Sequence, residues 1–310
     1  MEKIRSSINF ILYKLKFKQQ PFADIPLRKP NPWVNLALFL TTVVTTIFAG
    51  TLLENKNPLE SPGNLVYGLP FSLTLLLILG SHEMGHYLFA RKNKVDVSLP
   101  YFIPAPTIIG TFGAVIKMRS PIYDKRALIE IGAAGPIVGF FVAVPAYIIG
   151  LVYSEILPVT EVEGGIQLGD SLLTKFLAFL VYPNIPEGHE IYIHSIGFAA
   201  WIGMIVTMLN LLPVGQLDGG HILYAILGEK HKRVGYAALA LIATLGILLT
   251  LTGTPGYNWL LWAALVLIFI RVKHPPVYNS HMPIPEIHKI ICLFAFLIFI
   301  LTFIPVPFKF

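Results

Sequence analysis

Long apolar runs separated by short basic or Pro/Gly-rich connections set the pattern of this chain. Uninterrupted apolar character predicts membrane-spanning helices at about 33–53, 66–90, 127–153, 192–213, 234–253, 257–272 and 287–305, each near the length needed to cross the hydrocarbon of a bilayer. Two segments break the pattern. The stretch 97–120 is apolar but interrupted by Pro100, Pro104, Pro106, Gly110 and Gly113, which predicts a re-entrant loop or β-hairpin in place of a straight helix. The stretch 166–182 carries Asp170 and Lys175 and suits a short interfacial or partly inserted helix. Before the first span, Ile8, Ile11, Leu12 and Leu15 share one helical face with lysines opposite, the pattern of an amphipathic in-plane helix.

The fold class predicted is therefore all-α and polytopic: about seven transmembrane helices with a re-entrant loop or β-hairpin after the second. The organisation read from the pattern is an amphipathic N-terminal segment over 1–32, a first span and outer loop over 33–62, a membrane core over 63–230 and C-terminal spans over 231–310. Composition agrees, since 55% of the 310 residues are hydrophobic and only 13% charged, about half the charged share of an ordinary soluble domain. The single cysteine, Cys292, excludes a disulfide framework and a thiolate metal site. The N-terminus lacks a short apolar core with a small-residue cleavage site and contains Glu2, so neither a secretory signal nor a transit peptide is expected there.

Charge orients the spans. Nearly all of the 23 Lys and Arg residues fall on one side; Lys56, Lys175 and Lys309 remain opposite, among the acidic residues of the outer loops. The positive-inside rule makes the basic side cytoplasmic, and the expected location is a bacterial cytoplasmic membrane with the N-terminus facing the cytoplasm. Read this way, the net charge of +6 reflects topology and lipid contact, and no nucleic-acid partner is expected.

The second span carries the chemistry. His82-Glu83-Met84-Gly85-His86 places two imidazoles on one helical face, able to share a metal, with Glu83 beside the metal's water, as in a zinc peptidase. Ionisable groups inside hydrocarbon are costly unless paired or metal-bound, so packing alone is a poor reason for them. Counting from Arg91 at 1.5 Å per residue sets His86 and His82 about 7 and 14 Å inside the basic boundary. Asp218 is the best candidate for a third ligand, because it returns to a comparable depth after the fourth span. A plain helix cap at Asp218, or His221 as the ligand in its place, are the alternatives.

H-E-x-x-H in a span, followed more than a hundred residues later by Asn210-Leu211-Leu212-Pro213-Val214-Gly215-Gln216-Leu217-Asp218-Gly219, resembles the site-2 protease family of intramembrane zinc metalloproteases. The resemblance implies one zinc per chain held by His82, His86 and Asp218, with Glu83 as the catalytic glutamate and Asn210 in the active-site region. It also implies a single-span membrane protein as substrate, cut during regulated intramembrane proteolysis. Gly132-Ala133-Ala134-Gly135-Pro136 is similar to the family's glycine-rich core helix, and Gly132, Gly135 and Gly139 permit close helix approach to the active-site span. Gly63-Asn64-Leu65 and Leu99-Pro100-Tyr101-Phe102-Ile103-Pro104 look closest to the branch shared by bacteria and plant plastids. The outer segment Ser154 to Ile191 is too short for the PDZ domain of many bacterial members.

Proteolysis in a membrane needs an unwound substrate, and a strand built from Gly110, Thr111, Phe112, Gly113 and Ala114 would offer an edge to pair with it. A plug filling the protein interior is the alternative for that segment. Asn210 serves equally as an oxyanion donor or as a buried polar residue near Pro213. Two further readings compete: a membrane zinc peptidase of another family acting on soluble or misfolded membrane proteins, for which Glu130 is the one intraspan acid offering a third ligand, and a divalent-metal transporter. The sequence leaves the oligomeric state open.

Overall fold

The computed structural model describes residues 31–161, 167–270 and 282–309, together with 272, 274, 275, 277 and 279. The amphipathic stretch 8–18 lies outside the described residues. Helix α1 (Pro32–Leu53) is capped by Asn31, whose side chain accepts the Trp33 amide at 3.3 Å, with Pro32 in the first turn, where its missing N–H costs nothing. A 3-10 turn (Pro62–Gly68) leads into α2 (Leu69–Lys92), which ends with Arg91 and Lys92 beside the negative end of the helix dipole. Asp124 caps α3 (Lys125–Val152) by accepting the Ala127 amide at 2.8 Å. Two short extended segments, β3 (Glu155–Pro158) and β4 (Gln167–Leu168), precede α4 (Leu172–Val181). Strand β5 (His189–Tyr192), which pairs with β3, then leads to α5 (Ser195–Asn210). A turn with Gly215 at φ +58° connects to α6 (Asp218–Leu227), which a single 3-10 turn joins to α7 (His231–Leu251). Helices α8 (Tyr257–Leu265) and α9 (Glu286–Thr302) complete the set, and β6 (Phe308–Lys309) pairs with β4.

Each of the seven expected spans overlaps a helix, but among the described residues four helical stretches are long and apolar enough to cross a membrane by themselves: Pro32–Leu53, Pro62–Lys92, Lys125–Val152 and Asp218–Leu251. The helix α5 falls short because it stops at Asn210, ahead of Pro213, and continues only after the turn. The expected short helix within 166–182 is α4, started by a Ser171–Thr174 capping box.

The core is built where α3 packs on α2 and α5, with α6 and α9 laid against α3. Phe71, Leu75, Ile78, Leu128, Ile129, Trp201 and Met204 are fully or almost fully buried there. The outward faces are just as apolar: Trp33, Val44, Leu73, Leu77, Phe141 and Val152 are all more than half exposed. An apolar surface of that extent belongs in lipid, where it costs nothing.

Between α2 and α3 the Pro/Gly-broken stretch forms an antiparallel hairpin, the second of the two forms expected for it. Its strands are β1 (Tyr101–Pro104) and β2 (Thr111–Val115), with Tyr101 opposite Val115, Phe102 opposite Ala114, and a register shift before Pro104 opposite Thr111. Helix α1 fastens the hairpin. The Asn35 amide donates to the Leu99 and Pro100 carbonyls at 3.0 and 2.9 Å, and the Thr45 hydroxyl donates to the Gly110 carbonyl at 2.7 Å.

Candidate metal centre

Three side chains from two helices converge in the buried centre of the molecule. His82 and His86 project from one face of α2, and Asp218, the first residue of α6, reaches them from the opposite side. Asp218 Oδ2 lies 3.3 Å from His82 Nε2 and 3.2 Å from His86 Nε2, and the three potential ligand atoms fall within 4.8 Å of one another. A tetrahedral zinc with bonds of about 2.0–2.1 Å separates its ligands by about 3.3–3.4 Å, so these spacings suit one ion. The donor set of two imidazoles and one carboxylate also leaves a fourth position open, as a catalytic zinc requires. His86 is oriented for ligation: its Nδ1–H donates to the Ile131 carbonyl at 2.7 Å, which leaves the Nε2 lone pair facing Asp218. The plain-cap alternative for Asp218 does not hold, since α6 has Leu217 at its cap position, no side-chain cap bond, and the Asp218 carboxylate turned to the histidines.

The glycines of α3 make room for these rings. A Cβ built on Gly135 would run into the His86 imidazole, one on Gly139 would come within 3.1 Å of His82 Nδ1, and one on Gly132 within 3.0 Å of the His221 Cβ. Helix approach alone was the reading of this stripe from the sequence; the structure adds that two of its members seat the imidazoles. Gly135→Ala is therefore expected to destabilise the protein by about 1–3 kcal/mol through overpacking and to weaken zinc binding, measurable as a lower Tm and sub-stoichiometric metal. An alanine variant with full zinc and unchanged Tm would remove the seating role.

Glu83 is buried beside the two histidines on α2, and the backbone amide of Ile116, just beyond β2, lies against its carboxylate. The direction of that amide follows from strand alternation. The Lys117 carbonyl accepts the Ser98 amide at 3.0 Å, so Lys117 faces the partner strand, and Ile116 and Ala114 turn their backbone groups the other way, up to the register shift at Gly113. The outer edge of β2, unpaired among the described residues, thus runs past Glu83.

Of the five residues expected to form that edge, Thr111, Phe112, Gly113 and Ala114 lie in β2. Gly110 does not: it sits in the turn at φ +76°, so close to α1 that a Cβ would strike the Thr45 carbonyl. Asn210, at the end of α5, brings its amide within 3.2 Å of His82 Nε2. His221, the alternative ligand, lies outside the cluster. Its Nδ1–H donates to His274 Nε2 at 2.6 Å, while His274 Nδ1–H donates to the Pro275 carbonyl, also at 2.6 Å, and burial holds the His274 pKa below its ordinary value. Glu130, the intraspan acid of the competing peptidase reading, is engaged elsewhere. It accepts from Lys92 at 3.1 Å and Asn93 at 2.9 Å and pairs with His288 at 3.0 Å, which ties α9 to the end of α2.

A family model described as Peptidase family M50 matches residues 70–253. The probable zinc metalloprotease EGY2, chloroplastic, of Arabidopsis thaliana is 30% identical over 248 residues, covering 78% of this chain and 43% of that protein. Its counterpart in Oryza sativa subsp. indica is 30% identical over 292 residues, with 90% and 51% covered. The probable zinc metalloprotease EGY1, chloroplastic, of Arabidopsis thaliana is 29% identical over 301 residues, with 88% and 53% covered. The chain spans about half the length of the curated relatives it matches. No solved structure matches. These relatives are chloroplastic proteins, which overturns the expectation of a bacterial cytoplasmic membrane. The error has a physical cause, since charge bias distinguishes the two sides of a bilayer but does not identify the membrane.

Proposed function

The chain belongs to peptidase family M50, and on that premise we propose that it is a zinc endopeptidase that hydrolyses a peptide bond within or near the transmembrane segment of a membrane-tethered protein, from the basic side of the bilayer. The observation that carries this reading is the convergence of the buried His82 and His86 with Asp218 beside Glu83, with the outer edge of β2 running past them. We assign His82, His86 and Asp218 as the ligands. Zinc held there would supply a water of lowered pKa and polarise the scissile carbonyl.

Glu83 takes the proton from that water as general base and delivers it to the leaving amine. The Asn210 amide lies 3.2 Å from His82 Nε2, beside the ligand cluster, where it would donate to the oxyanion of the attacked carbonyl. The outward backbone groups of Ala114 and Ile116 hold the substrate extended, satisfying amides that would otherwise be unpaired in lipid. The shorter helices α5, α8 and α9 complete the bundle around the four long spans.

Ala114→Pro removes one outward donor from the β2 edge and is expected to lower kcat/KM for a single-span substrate about five- to tenfold with zinc content unchanged. Proline at Asn184, in the outer connection before β5, serves as the control. Equal rates for the two variants, both folded and zinc-loaded, would reduce the hairpin to a plug.

A further inference from the structure

An apolar groove of about 810 Å³ lies between the face of α6 that carries Ile222 and Ile226 and the face of α9 that carries Leu293, Phe296 and Phe299. Its lining is almost wholly hydrocarbon, with two cations, Lys125 and Lys289. Both belong to the first turn of their helices, α3 and α9, so they share the basic end of the bundle. Lys289 also reaches Glu286 at 2.6 Å, but that pair is solvent-exposed and contributes little against a competing anion.

Length selects the occupant. From Lys289 to Phe299 the groove follows ten positions of α9, about 15 Å at 1.5 Å per residue. That is half of the roughly 30 Å hydrocarbon thickness of a bilayer, the depth of a single leaflet. A transmembrane segment of a substrate or of a second copy would need the full thickness, and neither calls for cations at one end only. We propose that the groove is a binding site for an anionic phospholipid of the basic-side leaflet, with an acyl chain along α9 and the headgroup at Lys125 and Lys289. Such a lipid fills the space between α6 and α9, and so braces the helix that presents Asp218. The inference rests on membrane embedding and not on proteolysis, and it stands or falls separately.

The test uses the full-length protein in nanodiscs of equal phosphatidylcholine and phosphatidylglycerol, released into a native mass spectrometer. Wild type is expected to retain one phosphatidylglycerol per chain in preference to phosphatidylcholine. The double variant K125Q/K289Q should lose that preference by about thirtyfold, and K125R/K289R should keep it. Ile226→Trp, at a half-exposed position of the groove wall, narrows the groove without touching charge and should also release the lipid. A photoreactive side chain in place of Leu293 should capture a lipid. Equal retention of the two lipids by wild type, an unchanged preference in K125Q/K289Q, or a protein-sized adduct at position 293 would overturn the proposal.

Discussion

Glu83→Gln is expected to retain its zinc and lose its cleavage. The amide is nearly isosteric with the carboxylate, so the packing of α2 and the ligand geometry should survive, but it cannot accept the proton of the attacking water. Loss of a positioned general base lowers turnover by about 10²–10⁴-fold, and the same group is also assigned the proton delivery to the leaving amine, so the upper end is expected. Single-turnover cleavage of a reconstituted single-span substrate, alongside metal analysis of the same preparation, checks both halves. Turnover near wild type with zinc bound would exclude Glu83 as the base.

The second large effect concerns the metal itself. His82→Ala, His86→Ala and Asp218→Ala each remove one of three converging ligands and leave the other two buried without their partner. Zinc affinity should fall by more than the ~10–100-fold typical of losing an outer-shell partner, leaving the purified variants essentially metal-free. His221→Ala is the control: its ring is committed to His274 and lies outside the cluster, so zinc should stay bound. Full occupancy in Asp218→Ala together with loss in His221→Ala would reverse the assignment of the third ligand.

The parts of the site legible in the sequence are those fixed by local periodicity and membrane depth. Spacing of i and i+4 placed His82 and His86 on one face, and the return of the chain to the same depth singled out Asp218 before any contact was known. The hairpin was legible as an interruption, because Pro100, Pro104 and Gly110 cannot continue a helix, though its register and the tether to Asn35 were not. What escaped depends on distant partners. His221 meets His274 across 53 residues, and Glu130 meets His288 across 158, and neither pairing leaves a periodic signal. Gly135 and Gly139 carry no side chain to announce what lies on them, so the seats for the two imidazoles read only as close helix packing. Hydropathy also does not see where a helix stops: α5 ends at Asn210 although apolar residues continue to Val214.

The central claim is zinc-dependent hydrolysis of a peptide bond inside a membrane. The most direct measurement reconstitutes the full chain with a single-span substrate in zinc-loaded vesicles and maps the products by mass spectrometry, with Glu83→Gln in parallel. The expected result is one cut within or near the basic-side end of the substrate span, made by wild type, abolished by Glu83→Gln and restored to chelated wild type by added zinc. An intact substrate with zinc carried across the vesicle membrane, or a cut made equally by Glu83→Gln, would contradict it.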